Sequence, residues 1–270
     1  MHIQRGAWAE INLDAIAHNV QMAKANLKPT TKLCAVVKAD AYGHGAVRVA
    51  QEAARNGADF FAVALLQEGV KLREAGIETP ILVLGSMLPE VAEICVRYDI
   101  SHAVFDEERL YALNAAALKL HTKAKIHIKI DTGMHRIGVH VRDAGRFAKL
   151  AASLPGIYIE GVFSHFATAD ADDKQYAAYQ FARFQEALRL IEAEGVHIPL
   201  RHIANSAALT ELQEYQLDMV RQGITLYGLH PAHMIDCYKD FEPVMTVKTQ
   251  VAFVKTLPPG ETIGYGRTYT

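Results

Sequence analysis

Lys38 ends a wholly apolar run, Leu33-Cys34-Ala35-Val36-Val37, and the turn after it carries Tyr42, Gly43, His44 and Gly45. The plain reading of such a lysine is a stem lying on apolar surface with its ammonium reaching out to water. The chemical reading is an amine made nucleophilic by partial desolvation and able to form a Schiff base with a carbonyl group. Other apolar runs also end in polar residues. Lys129 and Asp131, then Gly133, His135 and Arg136, follow one of them; Ser164 and His165 end another. His202, Asn205 and Ser206 follow a third, and Arg221, Gly223 and Ile224 a fourth. Singly these are weak signals, because a lone histidine such as His165 is more often a satisfied core residue and Arg136 could be a loop cation. Converging on one place, they would line a pocket for an anionic, planar cofactor and an amino acid.

Such convergence requires a fold that gathers the ends of its strands. From about residue 32, short apolar runs alternate with longer amphipathic stretches. The runs are 33–37, 60–65, 80–84, 100–105, 124–130, 157–164, 200–205 and 219–229. They are rich in Val, Ile and Phe and nearly continuous, as strands buried on both faces should be. Between them, spacings such as Phe181, Phe184, Leu188 and Ile191 mark helices with one apolar face. Eight strands alternating with helices predict an α/β fold, a (β/α)8 TIM-type barrel, whose site lies at the strand ends. A doubly wound sheet fits less well, since no strand opens into a G-x-G-x-x-G turn.

Two remainders lie outside the barrel pattern. A strand-like 8–11 and a helix over 13–27 precede the first run, and are grouped here with the barrel as a domain spanning 1–240. Residues 241–270 change character: 244–254 alternates like a strand, and Pro258-Pro259-Gly260 makes a turn. They predict the start of a β-rich C-terminal domain, with the expectation that the rest of it is missing, because so short a segment buries too little surface to stand alone.

A formal net charge of −2, with no basic run, argues against nucleic acid or an anionic membrane surface as a partner. Cys34, Cys95 and Cys237 form no motif and are expected as buried reduced thiols, and no metal site is expected. The first residues, Met1 to Gly6, precede no apolar segment that could target or span a membrane. The expected setting is cytoplasmic.

Six segments make the reading specific. A-V-V-K-A-D-A-Y-G-H-G (35–45), I-K-I-D-T-G-M-H-R-I-G (128–138), S-H-F-A-T-A-D (164–170), H-I-A-N-S-A-A (202–208), V-R-Q-G-I-T-L-Y-G (220–228) and G-Y-G-R-T-Y (264–269) stand in this order. Together they resemble the signatures of the alanine racemase family, whose members use pyridoxal 5'-phosphate (PLP). The resemblance implies that Lys38 holds PLP covalently, while Tyr42, Ser206 and the amides of Gly223 and Ile224 hold its phosphate. His165 would lie beside the ring with His202 behind it, Asn205 would belong to the cofactor pocket, and Arg221 would face the pyridine nitrogen. Arg136 would orient the substrate carboxylate, supported by Lys129, which is carbamylated in many relatives. The family's two bases would be Lys38 and Tyr265, the tyrosine reaching the site from the other subunit of a homodimer. A tyrosine is a poor base at its ordinary pKa of about 10, so nearby cations must lower it, and His165 and Arg221 are the candidates.

The implied activity is interconversion of L- and D-alanine, which supplies D-alanine for cell-wall peptidoglycan. Two rivals share the lysine. A single-domain PLP-binding homeostasis protein has no use for the segment 264–269, and a related decarboxylase would set an acid, not Arg221, against the pyridine nitrogen. A serine or broad-specificity racemase is the remaining alternative.

Overall fold

A computed structural model describes residues 6–231 and 235–270. The N-terminal residues 1–5, read above for targeting, lie outside the described part. Contacts divide the chain into two units, Asn12–Val244 and the pair of segments Met1–Ile11 with Met245–Thr270.

The larger unit is the expected barrel. Strands β2 (Lys32–Val36), β3 (Phe60–Val63), β4 (Ile81–Val83), β5 (Ser101–Val104), β6 (Ala124–Asp131), β8 (Ile157–Phe163), β9 (Leu200–His202) and β10 (Met219–Gln222) form one parallel sheet, while β7 (Val139–His140) pairs only with the end of β6. The order is β10-β2-β3-β4-β5-β6-β8-β9. Two backbone bonds bring the ends of this sheet together: the Asp218 N–H donates to the Arg201 carbonyl and the Arg221 N–H to that of Ala204, both at 3.1 Å. Each of the eight apolar runs overlaps one barrel strand. Helices fill the intervals; in Gln175–Ala193 the side chains of Phe184, Leu188 and Ile191 are buried, and Phe181 stacks on Tyr215 with ring centres 4.2 Å apart.

The helix expected over 13–27 covers Leu13–Ala25, started by the Asn12 carboxamide, which accepts from the N–H groups of Asp14 and Ala15. Its Asn19 side chain, fully buried, donates to the carbonyls of Leu226 and Glu242 and accepts from the Glu242 N–H. Phe241 and Val244 are buried too, so the barrel unit runs to residue 244, beyond the boundary at 240 drawn from the sequence.

The smaller unit pairs β1 (Ala7–Ile11) antiparallel with β11 (Met245–Thr249), from Ala7 opposite Thr249 to Ile11 opposite Met245. The grouping of 8–11 with the barrel is therefore corrected. In a ring of eight strands each strand already has its neighbours, and a further strand must satisfy its backbone groups elsewhere. Among the described residues no helix is long and apolar enough to cross a membrane.

One irregularity shapes the barrel interior. Ile126 pairs with Ile159 but His127 pairs with Gly161, which leaves Glu160 as an extra residue in a bulge of β8. Gly161 is demanded by the packing: a Cβ there would lie 2.5 Å from Nδ1 of His127 and 2.8 Å from the Leu200 carbonyl oxygen. Gly161→Ala should accordingly destabilise the barrel by about 1–3 kcal/mol, the usual cost of forcing an atom into a filled core. Urea unfolding measures it, and a variant as stable as the native chain would show that the bulge has room to yield.

Candidate active site

The strand ends open into a cavity of about 540 Å³ in the barrel unit. Lys38, Tyr42, Lys129, Arg136, His165, Asn205, Ser206, Arg221, Gly223 and Ile224 all line it. Ten of the twelve residues to which the resemblance gives a role thus meet in one place. His202 stands behind this surface, fully buried. Tyr265 belongs to the smaller unit, where its side chain is fully exposed.

Lys38 is held by an unusual piece of backbone. The four residues after it, Ala39, Asp40, Ala41 and Tyr42, have φ of 52°, 52°, 56° and 52°, a left-handed turn. Such a conformation costs about 1–2 kcal/mol per non-glycine residue, so it persists only where its surroundings over-determine it. Here the Ala39 N–H donates to the Glu68 carboxylate at 2.6 Å, and the Asp40 carboxylate accepts from the Ala46 N–H at 3.0 Å and from Lys71 at 3.1 Å. Gly43, at φ 86°, continues the left-handed path, and its N–H closes onto the Ala39 carbonyl at 3.0 Å. The turn brings Tyr42 against Tyr227, with ring centres 5.0 Å apart, and Tyr227 is anchored in turn by donating to the Val36 carbonyl. Burial raises the pKa of the Tyr42 phenol, so it stays a neutral donor.

Opposite this turn, Ser206 starts the helix Ser206–Glu211 and its Oγ accepts from the Gly223 N–H at 2.8 Å. A Cβ on Gly223 would stand 3.5 Å from Ser206 Oγ and 3.6 Å from the Tyr42 hydroxyl, filling the space between the two. The Ile224 N–H has no acceptor among the described residues. Two hydroxyls and a free backbone N–H around a side-chain-free gap form a cradle that suits a phosphate group. Asn205 is the helix cap: its Oδ1 accepts from the Ala208 N–H at 3.1 Å, so its amide N–H groups are what it can offer the cavity.

The floor is cationic. Arg221, 3% exposed, donates to His202 Nδ1 at 2.7 Å, to the carbonyls of Ser164 and Ile203 at 2.8 and 3.0 Å, and to His165 Nδ1 at 3.1 Å. Burial pulls its pKa down to about 10, which leaves it charged at neutral pH. Burial, with the charges of Arg221, Lys129, Arg136 and Lys38 added, holds the His165 pKa well below its ordinary value, and burial with Arg221 does the same for His202. His165 is therefore neutral. This corrects its assignment as a cation that could lower the pKa of Tyr265.

Lys129, on β6, is 4% exposed; its ammonium donates to the Ile130 carbonyl at 2.9 Å and lies 5.3 Å from the centre of the Phe163 ring. Burial, reinforced by Arg221 and Arg136, brings its pKa to about 7, even though Asp131 opposes the shift. Asp131 is engaged in its own turn, accepting from the Gly133 and His135 N–H groups and the His135 ring. Cys34 and Cys95 are buried as expected, whereas Cys237 is exposed.

Sequence reasoning did not single out Glu68, nor the buried His127 and its partly buried partner Glu160. The signal for that pair was present: a histidine and a glutamate inside runs, I-H-I and I-E-G, that otherwise read as core. Nor did it find Asp170, Gly85 and Ser86, which also line the cavity.

The fold and site define an α/β-barrel enzyme with an amine at the end of its first barrel strand and an anion cradle beside its last. Residues 11–231 match the family description "Alanine racemase, N-terminal domain". An alanine racemase of Desulfovibrio desulfuricans is 46% identical over 98% of this chain and 71% of its own, and one of Halothermothrix orenii is 45% identical over 99% and 70%. Among solved structures, alanine racemase of Clostridium difficile 630 superposes with a TM-score of 0.93 at 38% identity, covering 100% of this chain and 71% of that one. A Bacillus anthracis alanine racemase with bound L-Ala-P gives a TM-score of 0.91 at 37% identity, over 100% and 70%. The chain belongs to the alanine racemase family.

The depressed pKa of Lys129 has a consequence for stability. Unfolded, the amine protonates near 10.5; folded, near 7. Between those values the unfolded chain binds more protons, so unfolding free energy should rise with pH across this window. Lys129→Met should lack that contribution. Urea unfolding of both proteins in CO2-free buffer at about pH 7 and about pH 10 checks it, since linkage predicts a native gain over the variant at the higher pH. An equal difference at both would mean that Lys129 is not desolvated as described.

Proposed function

We propose that this chain interconverts L- and D-alanine with PLP held in the barrel cavity, and that it serves the supply of D-alanine for cell-wall peptidoglycan in the cytoplasm. The observation that carries the reading is that Lys38 and the cradle of Ser206, Gly223, Ile224 and Tyr42 open into one cavity. Bound PLP draws electrons from Cα of an amino acid joined to it, which makes the Cα proton removable. Tyr42, Ser206 and the Gly223–Ile224 backbone would hold the phosphate, and Lys38 would hold the cofactor's carbonyl carbon. Arg221 is a permanent donor; set against the pyridine nitrogen, it would keep a proton off that atom and restrain the electron sink. Arg136 supplies a cation for the substrate carboxylate.

Racemisation needs an acid or base on each face of Cα. Lys38 Nζ takes or returns the proton on one face. We assign the other to the Tyr265 phenol, offered by a second copy in a homodimer. What supports this assignment is the segment G-Y-G-R-T-Y and the full exposure of the phenol in its own unit. Lys129 we assign as a carbamylation site: a buried amine with a pKa of about 7 has an uncharged fraction at neutral pH that can attack CO2. The resulting anion would turn a repulsion of Arg136 into an attraction.

Two measurements test these assignments. After incubation with PLP and reduction with borohydride, mass spectrometry should find the pyridoxyl group on Lys38, and Lys38→Ala should lower alanine racemisation at least ~10²-fold, as removal of a proton-transfer group does; a label on another lysine refutes the site. With 13C-bicarbonate, the native protein should show a carbamate carbon signal that Lys129→Ala lacks. A signal surviving in the variant would place the modification elsewhere.

A further inference from the structure

The Arg221–His202 hydrogen bond is the first link of a longer chain through the barrel interior. Behind His202, its Nε2 lies 2.8 Å from His127 Nδ1, and His127 Nε2 lies 3.0 Å from an Oε2 of Glu160. The Ser101 hydroxyl closes the line by donating to the same carboxylate oxygen. The rings are clamped: Phe163 stacks on His202 at 4.9 Å with 4° between planes, and Phe60 meets His127 edge-on at 5.9 Å.

The end groups determine the direction of every bond between them. A guanidinium donates and never accepts, and a carboxylate accepts and never donates. Since Arg221 occupies His202 Nδ1 as a donor, the proton of His202 sits on Nε2 and is given to His127 Nδ1. The proton of His127 must then sit on Nε2, where Glu160 accepts it. Each ring carries one proton, and each ring nitrogen is matched. A second proton on either imidazole would set two donors face to face. The same Glu160 oxygen accepts from His127 and from the Ser101 hydroxyl, so the chain ends on an acceptor.

We propose that Glu160 and His127 are positioning residues: the one-way chain Arg221→His202→His127→Glu160 holds His202 as an acceptor and thereby sets where the Arg221 guanidinium points in the cavity. The β8 bulge and Gly161 exist, on this account, to bring a carboxylate and an imidazole into line where regular strands would place neither. The bearing on catalysis rests on the proposed reading that Arg221 faces the pyridine nitrogen, while the chain itself does not depend on that reading.

Histidine- and arginine-selective 15N NMR of the full chain tests it without substrate or cofactor. The native spectrum should show a protonated Nε2 and an unprotonated Nδ1 at both His127 and His202, with slowly exchanging guanidinium protons at Arg221. Glu160→Gln, whose amide oxygen can still accept from His127, should keep all of these signals. Glu160→Leu and His127→Phe should each speed the exchange of the Arg221 protons roughly tenfold, the scale set by one buried donor left unpaired. An Nδ1–H or an imidazolium at His202 in the native protein overturns the proposal. So does native-like Arg221 exchange in a folded Glu160→Leu or His127→Phe chain. Should either variant fail to fold, the native tautomers and the Glu160→Gln comparison still decide, because altered Arg221 exchange in Glu160→Gln would mean that an acceptor at that position is not what matters. Should the tautomers hold while Lys38 takes no pyridoxyl label, the functional reading fails and the chain stands.

Discussion

A guanidinium buried at the mouth of a barrel is the constraint around which the active site is organised. Removing a charge from water is tolerated only when its hydrogen-bonding capacity is met. Arg221 meets that demand with neutral acceptors: the carbonyls of Ser164 and Ile203 and one nitrogen each of His202 and His165. Those groups come from the ends of β8 and β9, while Arg221 itself stands on β10. The side chain therefore ties three strand ends together where the ring of strands closes through two backbone bonds and the Arg201–Asp218 pair. It also dictates protonation around it, since a donor-only group obliges both histidines to present a bare nitrogen.

The left-handed turn after Lys38 is a second commitment of a similar kind. Four consecutive residues in a disfavoured conformation store strain, and the Glu68 and Asp40 carboxylates hold it by bonding backbone N–H groups across neighbouring loops. The result is that a lysine at the end of a strand and a tyrosine four residues later both reach one cavity. Residues that look secondary in a site description, such as Glu68, are what keep its chemistry in place.

Electrostatics links the two. Lys38, Lys129, Arg136 and Arg221 share a cavity in a chain whose formal net charge is −2. Cations crowded into a partly desolvated space attract an anionic cofactor and a carboxylate substrate; burial, reinforced by their mutual repulsion, is why Lys129 and His165 give up protons more readily than they would in water. A cradle of neutral donors for the phosphate, set beside this field, separates the part of the site that grips from the part that governs protons.

The eight strands were legible as continuous apolar runs, because burial on both faces leaves that trace in composition, and the residues at their ends were legible because polar side chains interrupt it. Six ordered segments carried the family. By itself, then, the sequence determined the barrel, the amine, the cradle residues and the cations, all of which depend on residue type and on spacing along the chain. Only the tertiary structure decided which side chains face each other. That the N-terminal strand joins Met245–Thr249, and that His127 and Glu160 stand in line behind His202, follow from strand register and from one bulged residue. Register is a relation between segments far apart in the chain, set by closure of the ring and by packing, and no local pattern of residues encodes it.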